Sequence, residues 1–109
     1  MSKLLITGAA GRLGGNLTQQ ALEKGYEVRA LVLPDDPKRS KLDPFDLEIV
    51  EGDLRDPELC RQIVDGADAI VHTANILGPS KGMDNQTFYD INVTGTYNLF
   101  EAAAPHSNR

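Results

Sequence analysis

A glycine-rich segment near the amino terminus limits what this chain can fold into more than any other feature. Residues 7–14 read Thr-Gly-Ala-Ala-Gly-Arg-Leu-Gly, directly after the apolar run of residues 4–6. In a turn between a strand and a helix, Gly8 would let the chain leave the strand tightly, Gly11 would let a ligand approach the backbone, and Gly14 would let the helix pack against the sheet. The start of the helix would then present free N–H groups to an anion such as a pyrophosphate. The alternative is an ordinary glycine-rich turn, whereas a P-loop is excluded because no Gly-Lys-Ser/Thr follows.

The rest of the chain alternates between short apolar segments and helical patterns. Strands are predicted at residues 4–6, 28–33, 47–51 and 69–72, and helices at residues 12–24, 57–66 and 84–104. This alternation predicts an α/β, Rossmann-like fold of three layers, in which helices cover both faces of a parallel sheet. Right-handed crossover connections favour the strand order 3-2-1-4. A chain of 109 residues has room for one domain, so residues 1–109 are interpreted as a single domain.

The first two helices carry local signals for their ends. Leu13, Leu17 and Ala21 recur at a spacing of four, which predicts the apolar face of the first helix. Gly25 is well placed to stop that helix. Residues 56–57, Asp-Pro, are typical of an N-cap residue followed by the first helical residue.

Composition and charge exclude several classes of function. A net charge of −5 argues against nucleic acid as the main partner, because binding to phosphates requires a basic surface. No segment approaches the roughly 18 to 20 apolar residues that a membrane span needs. The single cysteine, Cys60, cannot form an internal disulfide, which indicates a reducing compartment and a cytoplasmic location. With two histidines and one cysteine, no metal site is expected.

Three further motifs follow the glycine-rich turn in order. Residues 52–56 read Gly-Asp-Leu-Arg-Asp after the third predicted strand, and residues 70–74 read Ile-Val-His-Thr-Ala at the end of the fourth. Residues 91–103 read Ile-Asn-Val-Thr-Gly-Thr-Tyr-Asn-Leu-Phe-Glu-Ala-Ala within the last helix. Together with the glycine spacing of residues 8–14, these motifs resemble the extended short-chain dehydrogenase/reductase family of NAD-dependent epimerases, dehydratases and reductases. The resemblance covers nearly the whole chain and implies a partial NAD(P)-binding Rossmann domain with NAD or NADP as its cofactor.

The resemblance also implies which residues surround the phosphates of the cofactor. Gly8, Gly11 and Gly14 would form the cradle for the pyrophosphate. The backbone of Arg12 and Leu13, at the start of the helix, would complete it.

Five other residues acquire cofactor roles through the same resemblance, each with a structural alternative. Asp53 would accept a hydrogen bond from the adenine amino group, or would only cap its own turn, and Leu54 would border the adenine ring. Thr73 and Ala74 would line the ribose and nicotinamide side, or would only pack at the strand end. Asn92 would hold the fold near the cofactor, or would make a structural contact that involves no ligand.

No catalytic residue is assigned to this chain. The resemblance implies a catalytic Tyr-x-x-x-Lys pair and a Ser or Thr on the strand that follows the long helix. Each of the three tyrosines is followed four residues later by a residue other than lysine, as shown by the pairs Tyr26 and Ala30, Tyr89 and Val93, and Tyr97 and Glu101. We therefore interpret the chain as the cofactor-binding portion of a longer enzyme. The alternatives are a non-catalytic dinucleotide sensor or regulatory module, and a minimal truncated scaffold.

Two further expectations concern partners and cofactor choice. Without a fifth strand, residues 69–73 form an exposed apolar edge, which predicts self-association through this edge or through the helix at residues 84–104. An acid after the second strand favours NAD, and a nearby basic side chain favours NADP. Here Asp35 and Asp36 come slightly late, and the basic side chains are Lys38, Arg39 and Arg12. The sequence leaves the choice between NAD and NADP open.

Overall fold

The computed structural model describes residues 3–34, 36–73 and 93–104, and within them the chain forms four strands and three α-helices. The strands are β1 (Lys3–Thr7), β2 (Glu27–Val32), β3 (Glu48–Glu51) and β4 (Ala69–His72). The helices are α1 (Arg12–Glu23), α2 (Pro57–Val64) and α3 (Gly95–Ala103), and a short 3-10 helix at Arg39–Leu42 lies between β2 and β3. The predicted elements are present, and their bounds lie within a few residues of the predicted ones. The first part of the last predicted helix, residues 84–92, lies outside the described residues.

The four strands form one parallel sheet in the order β3-β2-β1-β4. Within it, Leu5 of the central strand β1 is opposite both Arg29 of β2 and Ile70 of β4. This confirms the predicted Rossmann-like α/β fold and its strand order. The chain passes from β1 to β2 and β3 on one side, and then returns to form β4 on the other side of β1.

Two apolar clusters, one on each face of the sheet, form the core. Leu5 packs with Ile63 of α2 and Leu99 of α3, whereas its neighbour Ile6 packs in the cluster that contains Ala21 of α1. Leu5 and Ile6 are 0% and 1% exposed, so β1 is covered on both sides. An unbroken apolar run is what a parallel strand with two covered faces requires. The arrangement therefore has three layers, as predicted.

The ends of α1 and α2 follow the signals in the sequence. Gly25 has a φ of 90° and its N–H donates to the carbonyl of Leu22, which is the geometry that ends a helix with a left-handed residue. At the start of α2, the Asp56 carboxylate accepts a 3.0 Å hydrogen bond from the Glu58 N–H, and Pro57 is the first helical residue.

The buried face of α1 differs from the predicted one. Leu13 is 62% exposed, and the buried positions of α1 are Gly14, Thr18 and Ala21. The reason is steric, since α1 approaches the sheet closest at Gly14 and the positions four and seven residues later then lie on the same side. Leu13 is one residue before this stripe, about 100° around the helix axis. It therefore faces solvent beside the glycine-rich turn.

None of the helices that the structure describes is both long enough and apolar enough to cross a membrane. Residues 3–34, 36–73 and 93–104 contain no group of three or more His, Cys, Asp or Glu side chains that could hold a metal ion.

Candidate functional site

The candidate site is the crevice at the carboxyl ends of β1 and β4. Thr7 is the last residue of β1, and it lies opposite His72, the last residue of β4. The helix α1, which follows β1, packs in the apolar cluster on one face of the sheet, whereas α3, the next described helix after β4, packs in the cluster on the other face. Open α/β sheets bind ligands at such a point because the diverging connections leave a crevice there.

The glycine-rich turn that borders this crevice is shaped by close backbone contacts. Gly8 has a φ of 64°, a conformation that favours glycine, and its carbonyl accepts a 3.0 Å hydrogen bond from the Gly11 N–H. A Cβ atom on Gly14 would collide with the Gly8 carbonyl oxygen and would lie 2.9 Å from the Thr73 hydroxyl oxygen. Because the nearer obstacle is backbone, it has no rotamer through which to move away. The first turn of α1 therefore packs directly against the main chain at the end of β1, with no room for a side chain at Gly14.

The amino terminus of α1 is left without a side-chain cap. Gly11 occupies the N-cap position in extended conformation, and the first turn contains no acidic side chain. Arg12 and Leu13 are both exposed at this end of the helix. The first N–H groups of an α-helix have no acceptor within the helix, and they carry a partial positive charge. This helix start is therefore suited to an anionic group.

Two threonines join the ends of β1 and β4 next to the turn. The Thr73 N–H donates to the Thr7 hydroxyl at 3.0 Å, and the Thr73 hydroxyl donates to the Thr7 carbonyl at 2.5 Å. Thr7 is 0% exposed. The Thr73 hydroxyl also faces Gly14, since it is one of the atoms that a Cβ at that position would meet. These contacts fix the position of Thr73 relative to the start of α1.

His72 continues the same network towards α3. Its Nδ1 lies 2.6 Å from the Thr7 hydroxyl, and its Nε2 lies 2.8 Å from the Thr96 hydroxyl. The ring also packs against the Phe100 ring in a T-shaped arrangement, with ring centroids 6.3 Å apart. Burial lowers the pKa of His72 from its ordinary value, which favours the neutral ring. Both ring nitrogens are thus engaged by protein groups, and His72 is a bridge between elements rather than an open base.

Asp53 is bonded to Arg55 in the turn that follows β3. Its Oδ1 accepts from the Arg55 backbone N–H at 2.9 Å, and its Oδ2 accepts from the Arg55 Nε and terminal nitrogen at 2.8 and 2.5 Å. Burial by itself raises the pKa of Asp53, but the hydrogen bonds and charge of Arg55 outweigh it and hold the pKa below its usual value. The turn-capping role that the sequence left as an alternative is therefore present. A carboxylate has about four acceptor positions, so the adenine role stays a prediction beside it.

The next residue, Leu54, is fixed through its backbone. Its carbonyl oxygen accepts a 3.0 Å hydrogen bond from the Asn98 side-chain nitrogen and a 3.4 Å contact from the Cys60 thiol. Its side chain is 6% exposed and lies in the core. Burial raises the pKa of the Cys60 thiol to about 11, so this cysteine is an inert core residue. α3 thus contacts both the segment after β3, through Asn98, and the end of β4, through Thr96.

The region after β2, where cofactor preference is set, contains charges of both signs. The Asp36 carboxylate accepts a 2.9 Å hydrogen bond from the Lys38 backbone N–H, and Arg39 forms an ion pair with Glu51 at the end of β3. Asp35 lies outside the described residues. The Lys38 side chain is exposed.

The structure places most of the predicted site residues at the carboxyl ends of the strands. Three predicted glycines, Arg12 and Leu13 border the end of β1, Thr73 follows β4, and residues 53–54 follow β3. Ala74 and Asn92 lie outside the described residues, so their roles stay predictions. The bridging role of His72 and the contribution of α3 depend on contacts between distant residues and were not predicted from the sequence. The signal that the sequence offers for them is the pair of polar side chains Thr96 and Asn98, which stand two residues apart in the last motif.

A family profile, two relatives and a solved structure each match this chain over most of its length. The sequence profile described as the NAD dependent epimerase/dehydratase family matches residues 4–108. A 3 beta-hydroxysteroid dehydrogenase/Delta 5-->4-isomerase of Mycobacterium tuberculosis is 35% identical over 112 residues, which cover 94% of this chain and 28% of the relative. A dTDP-glucose 4,6-dehydratase of the same species is 34% identical, with 98% of this chain and 34% of the relative covered. The crystal structure of the Bordetella bronchiseptica enzyme WbmH in complex with NAD+ matches with a TM-score of 0.83 and 31% identity, covering 98% of this chain and 36% of that one.

The match covers nearly all of this chain but only part of each relative. The chain spans about a third of the length of the proteins that it resembles. The two Mycobacterium tuberculosis relatives carry different activities in their names.

Proposed function

We propose that this chain, which belongs to the NAD-dependent epimerase/dehydratase family, holds the pyrophosphate of NAD or NADP at the start of α1. The observation that carries the proposal is the contact between Gly14 and the Gly8 carbonyl at a helix start that has no side-chain cap. The absence of a Cβ at Gly14 brings α1 against the end of β1, and the first-turn N–H groups then border the crevice. A diphosphate supplies the acceptors and the negative charge that such a helix start lacks.

The other site residues suit the remaining parts of a dinucleotide. Asp53 is an ionised acceptor at the end of β3, on the side where the adenosine half would extend. Thr73 lies at the end of β4, on the opposite side of the turn, where the nicotinamide half would extend. The nicotinamide ring, when bound, supplies hydride transfer. The residues of this chain would bind and orient that ring.

The whole-protein activity that we infer is that of an NAD(P)-dependent epimerase, dehydratase or reductase. The relatives that support it include a steroid dehydrogenase and a sugar-nucleotide dehydratase. No tyrosine in this chain is followed four residues later by lysine, so residues 1–109 are expected to bind cofactor and to lack turnover. Kinetic assays of the chain alone with NAD and NADP and a panel of steroid and sugar-nucleotide substrates test this expectation.

Two neighbouring glycines give a sharp test of cofactor binding. A Cβ at Gly14 would collide with backbone, whereas a Cβ at Gly15 would lie 3.5 Å from the Ala9 carbonyl oxygen, an ordinary contact. Isothermal titration of NAD, NADP and ADP-ribose into the wild-type chain should show saturable binding of at least one dinucleotide. Gly14→Ala should weaken that binding at least tenfold, an estimate based on the displacement of bound groups by about 1 Å. Gly15→Ala should leave it within about twofold.

The outcomes separate the proposal from its competitors. Circular dichroism first establishes that each variant is folded. A folded wild-type chain that binds neither dinucleotide at millimolar concentration would refute the proposal. Equal affinity of the Gly14 and Gly15 variants would show that the ligand binds away from the glycine-rich turn.

Self-association remains a second proposal. Within the described residues β4 pairs only with β1 and no strand pairs with its other side, which supports association through that edge. The side chains of Val93, Tyr97 and Phe100 on and next to α3 are 48%, 62% and 61% exposed, which supports a further contact surface. Sedimentation velocity between about 5 and 500 μM should show a concentration-dependent increase in mass, and Tyr97→Glu should reduce it if α3 is involved. A constant monomeric mass would exclude both surfaces.

A further inference from the structure

We propose that His72 is a positioning residue whose neutral imidazole ties β1, β4 and α3 together and thereby sets the shape of the cofactor crevice. The inference rests on the proposed function, because the crevice in question is the proposed dinucleotide site. The ring stands between two hydroxyls, with Nδ1 2.6 Å from Thr7 and Nε2 2.8 Å from Thr96. Thr7 ends β1 and Thr96 lies in α3, so a single side chain of β4 joins three elements.

The two hydrogen bonds of the ring favour its neutral form. A neutral imidazole has one donor nitrogen and one acceptor nitrogen, so in either tautomer one hydroxyl donates to the ring and the other accepts from it. A protonated ring donates at both nitrogens. The hydroxyl that had donated must then turn its hydrogen towards another acceptor. Protonation of His72 therefore disturbs one of its two bonds whichever tautomer is present.

Among the residues that the structure describes, no charged side chain contacts the ring in a way that would favour its protonation. The described groups that contact it are the hydroxyls of Thr7 and Thr96 and the ring of Phe100. The charged residues described on the elements packed against it are Lys3, at the far end of β1 and paired with Glu48, and Glu101, on the exposed surface of α3. Burial accounts for the lowered pKa of His72. The neutral ring is accordingly the form that maintains the bridge.

The bridge reaches the cofactor crevice through one oxygen atom. The Thr7 hydroxyl that bonds the His72 ring also accepts the N–H of Thr73 at 3.0 Å. The Thr73 hydroxyl in turn faces Gly14 in the first turn of α1. A change at the ring therefore alters the position of Thr73 and the packing surface of the phosphate-binding turn.

The bridge also fixes α3 at one of two points. Thr96 bonds the ring at the end of β4, and Asn98 donates to the Leu54 carbonyl after β3. α3 is thus attached near the predicted nicotinamide side and near the predicted adenine side. Loss of the Thr96 attachment leaves α3 held at the adenine side only. Binding of a ligand that spans both sides should then weaken.

The test measures cofactor affinity as a function of pH in matched variants. His72→Asn keeps a polar group near Thr7 but cannot titrate, and Thr96→Val removes the α3 partner with little change in shape. Wild-type affinity for NAD should fall between pH 8.0 and pH 5.5 as His72 begins to bind a proton, by at most the about three- to tenfold that corresponds to one hydrogen bond. His72→Asn should be weaker by a similar factor at pH 8.0 and should lose most of the pH dependence. His106→Gln, which replaces the other histidine of the chain, should retain it.

A double-mutant cycle separates positioning from simple stabilisation. If the two side chains act through one bridge, combining His72→Asn with Thr96→Val should weaken NAD binding no further than either change alone. All titrations are made at a temperature where circular dichroism shows the variant fully folded. Variants that lose thermal stability but bind NAD with wild-type affinity and pH dependence would overturn the inference.

The outcomes also distinguish this inference from the proposed function. If the wild-type chain binds NAD and the His72 and Thr96 variants behave like it at both pH values, only the inference fails. If the wild-type chain binds neither NAD nor NADP at any pH, the proposed function fails and the inference with it. Nitrogen-15 chemical shifts of the His72 ring give a readout without cofactor, and a ring that titrates like a free histidine would overturn the bridge. Should His72→Asn not fold, Thr96→Val and the wild-type pH profile decide the question.

Discussion

The guanidinium of Arg29, on β2, donates a 2.6 Å hydrogen bond to the carbonyl oxygen of Ile63 in the last turn of α2. It donates a second 2.6 Å bond to the carbonyl of Asp65 just beyond the helix. Helix carbonyls at this end have no partner within the helix, and a positive charge there complements the helix dipole. A side chain of the sheet thus ends a helix that packs on the sheet.

Replacement of Arg29 by Met should therefore destabilise the fold. The variant keeps an apolar stem but leaves two carbonyl oxygens without their charged donor, which should lower the free energy of unfolding by about 2–3 kcal/mol. Urea unfolding followed by circular dichroism measures this change. Glu48→Gln is the matched control, because it removes the half-exposed carboxylate that pairs with Arg29 and Lys3 but leaves both bonds to the helix carbonyls in place, and it should cost about 1 kcal/mol or less. Equal losses in the two variants would show that the ion pair, rather than the helix end, carries the effect.

Asp53 should affect cofactor affinity as well as its own turn. Asp53→Ala removes the predicted adenine acceptor and the bonds to Arg55, so NAD binding should weaken about tenfold, as expected for one hydrogen bond to a charged group. Arg55→Met removes the side-chain ion pair but keeps the backbone bond, and it should leave affinity nearly unchanged. Calorimetry on both variants decides between the two roles. If both lose affinity equally, Asp53 acts by shaping the turn rather than by contacting adenine.

The stability of the fold should decrease in two steps as the pH falls. The pKa of His72 is lowered in the folded state, so the unfolded chain binds more protons and stability falls as the pH passes below the unfolded value of about 6.5. The pKa values of Asp53 and Glu48 are also lowered in the folded state, so their contribution is complete above about pH 4.5 and is lost below it.

Thermal melting points between pH 8 and pH 3 measure the two steps. His72→Asn should remove the upper step and leave the lower one, whereas Glu48→Gln should reduce only the lower one. An upper step that persists in His72→Asn would assign it to another group.

The thiol of Cys60 should report unfolding rather than surface chemistry. It is 0% exposed, and burial raises its pKa to about 11, so little reactive thiolate is present at neutral pH. A thiol-specific disulfide reagent should react with the native chain at least about a hundredfold more slowly than with the chain in urea, because reaction requires opening of the structure. NAD should slow the native reaction further if it stabilises the fold. Rapid labelling of the native chain would contradict the buried position.

Much of this fold could be predicted because it depends on local patterns. The run at residues 4–6 and the glycines that follow specify a buried strand and a tight turn at known positions in the chain. Parallel strands separated by helices then leave few possible strand orders. Asp56 and Gly25 mark helix ends through bonds to residues only two or three positions away.

The parts that could not be predicted depend on contacts between distant residues. The sequence indicated neither that Arg29 would reach the end of α2, 34 residues away, nor that His72 would meet Thr96, 24 residues away. The exposed position of Leu13 follows from how closely α1 approaches β1, which apolar spacing does not encode. Asp53 has enough acceptor positions for both of its predicted roles, so its type alone could not distinguish them.

The pairing of β1 with β4 has a consequence for how the chain folds while it is being synthesised. The N–H of Lys3 donates to the Asp68 carboxylate, and these residues are 65 positions apart. β1 emerges first from the ribosome, yet one of its two sides stays unpaired until residues 69–72 have followed. During that interval one edge of the apolar strand β1 lacks its backbone partner, so the strand at the centre of the site is the last to have both of its neighbours in place.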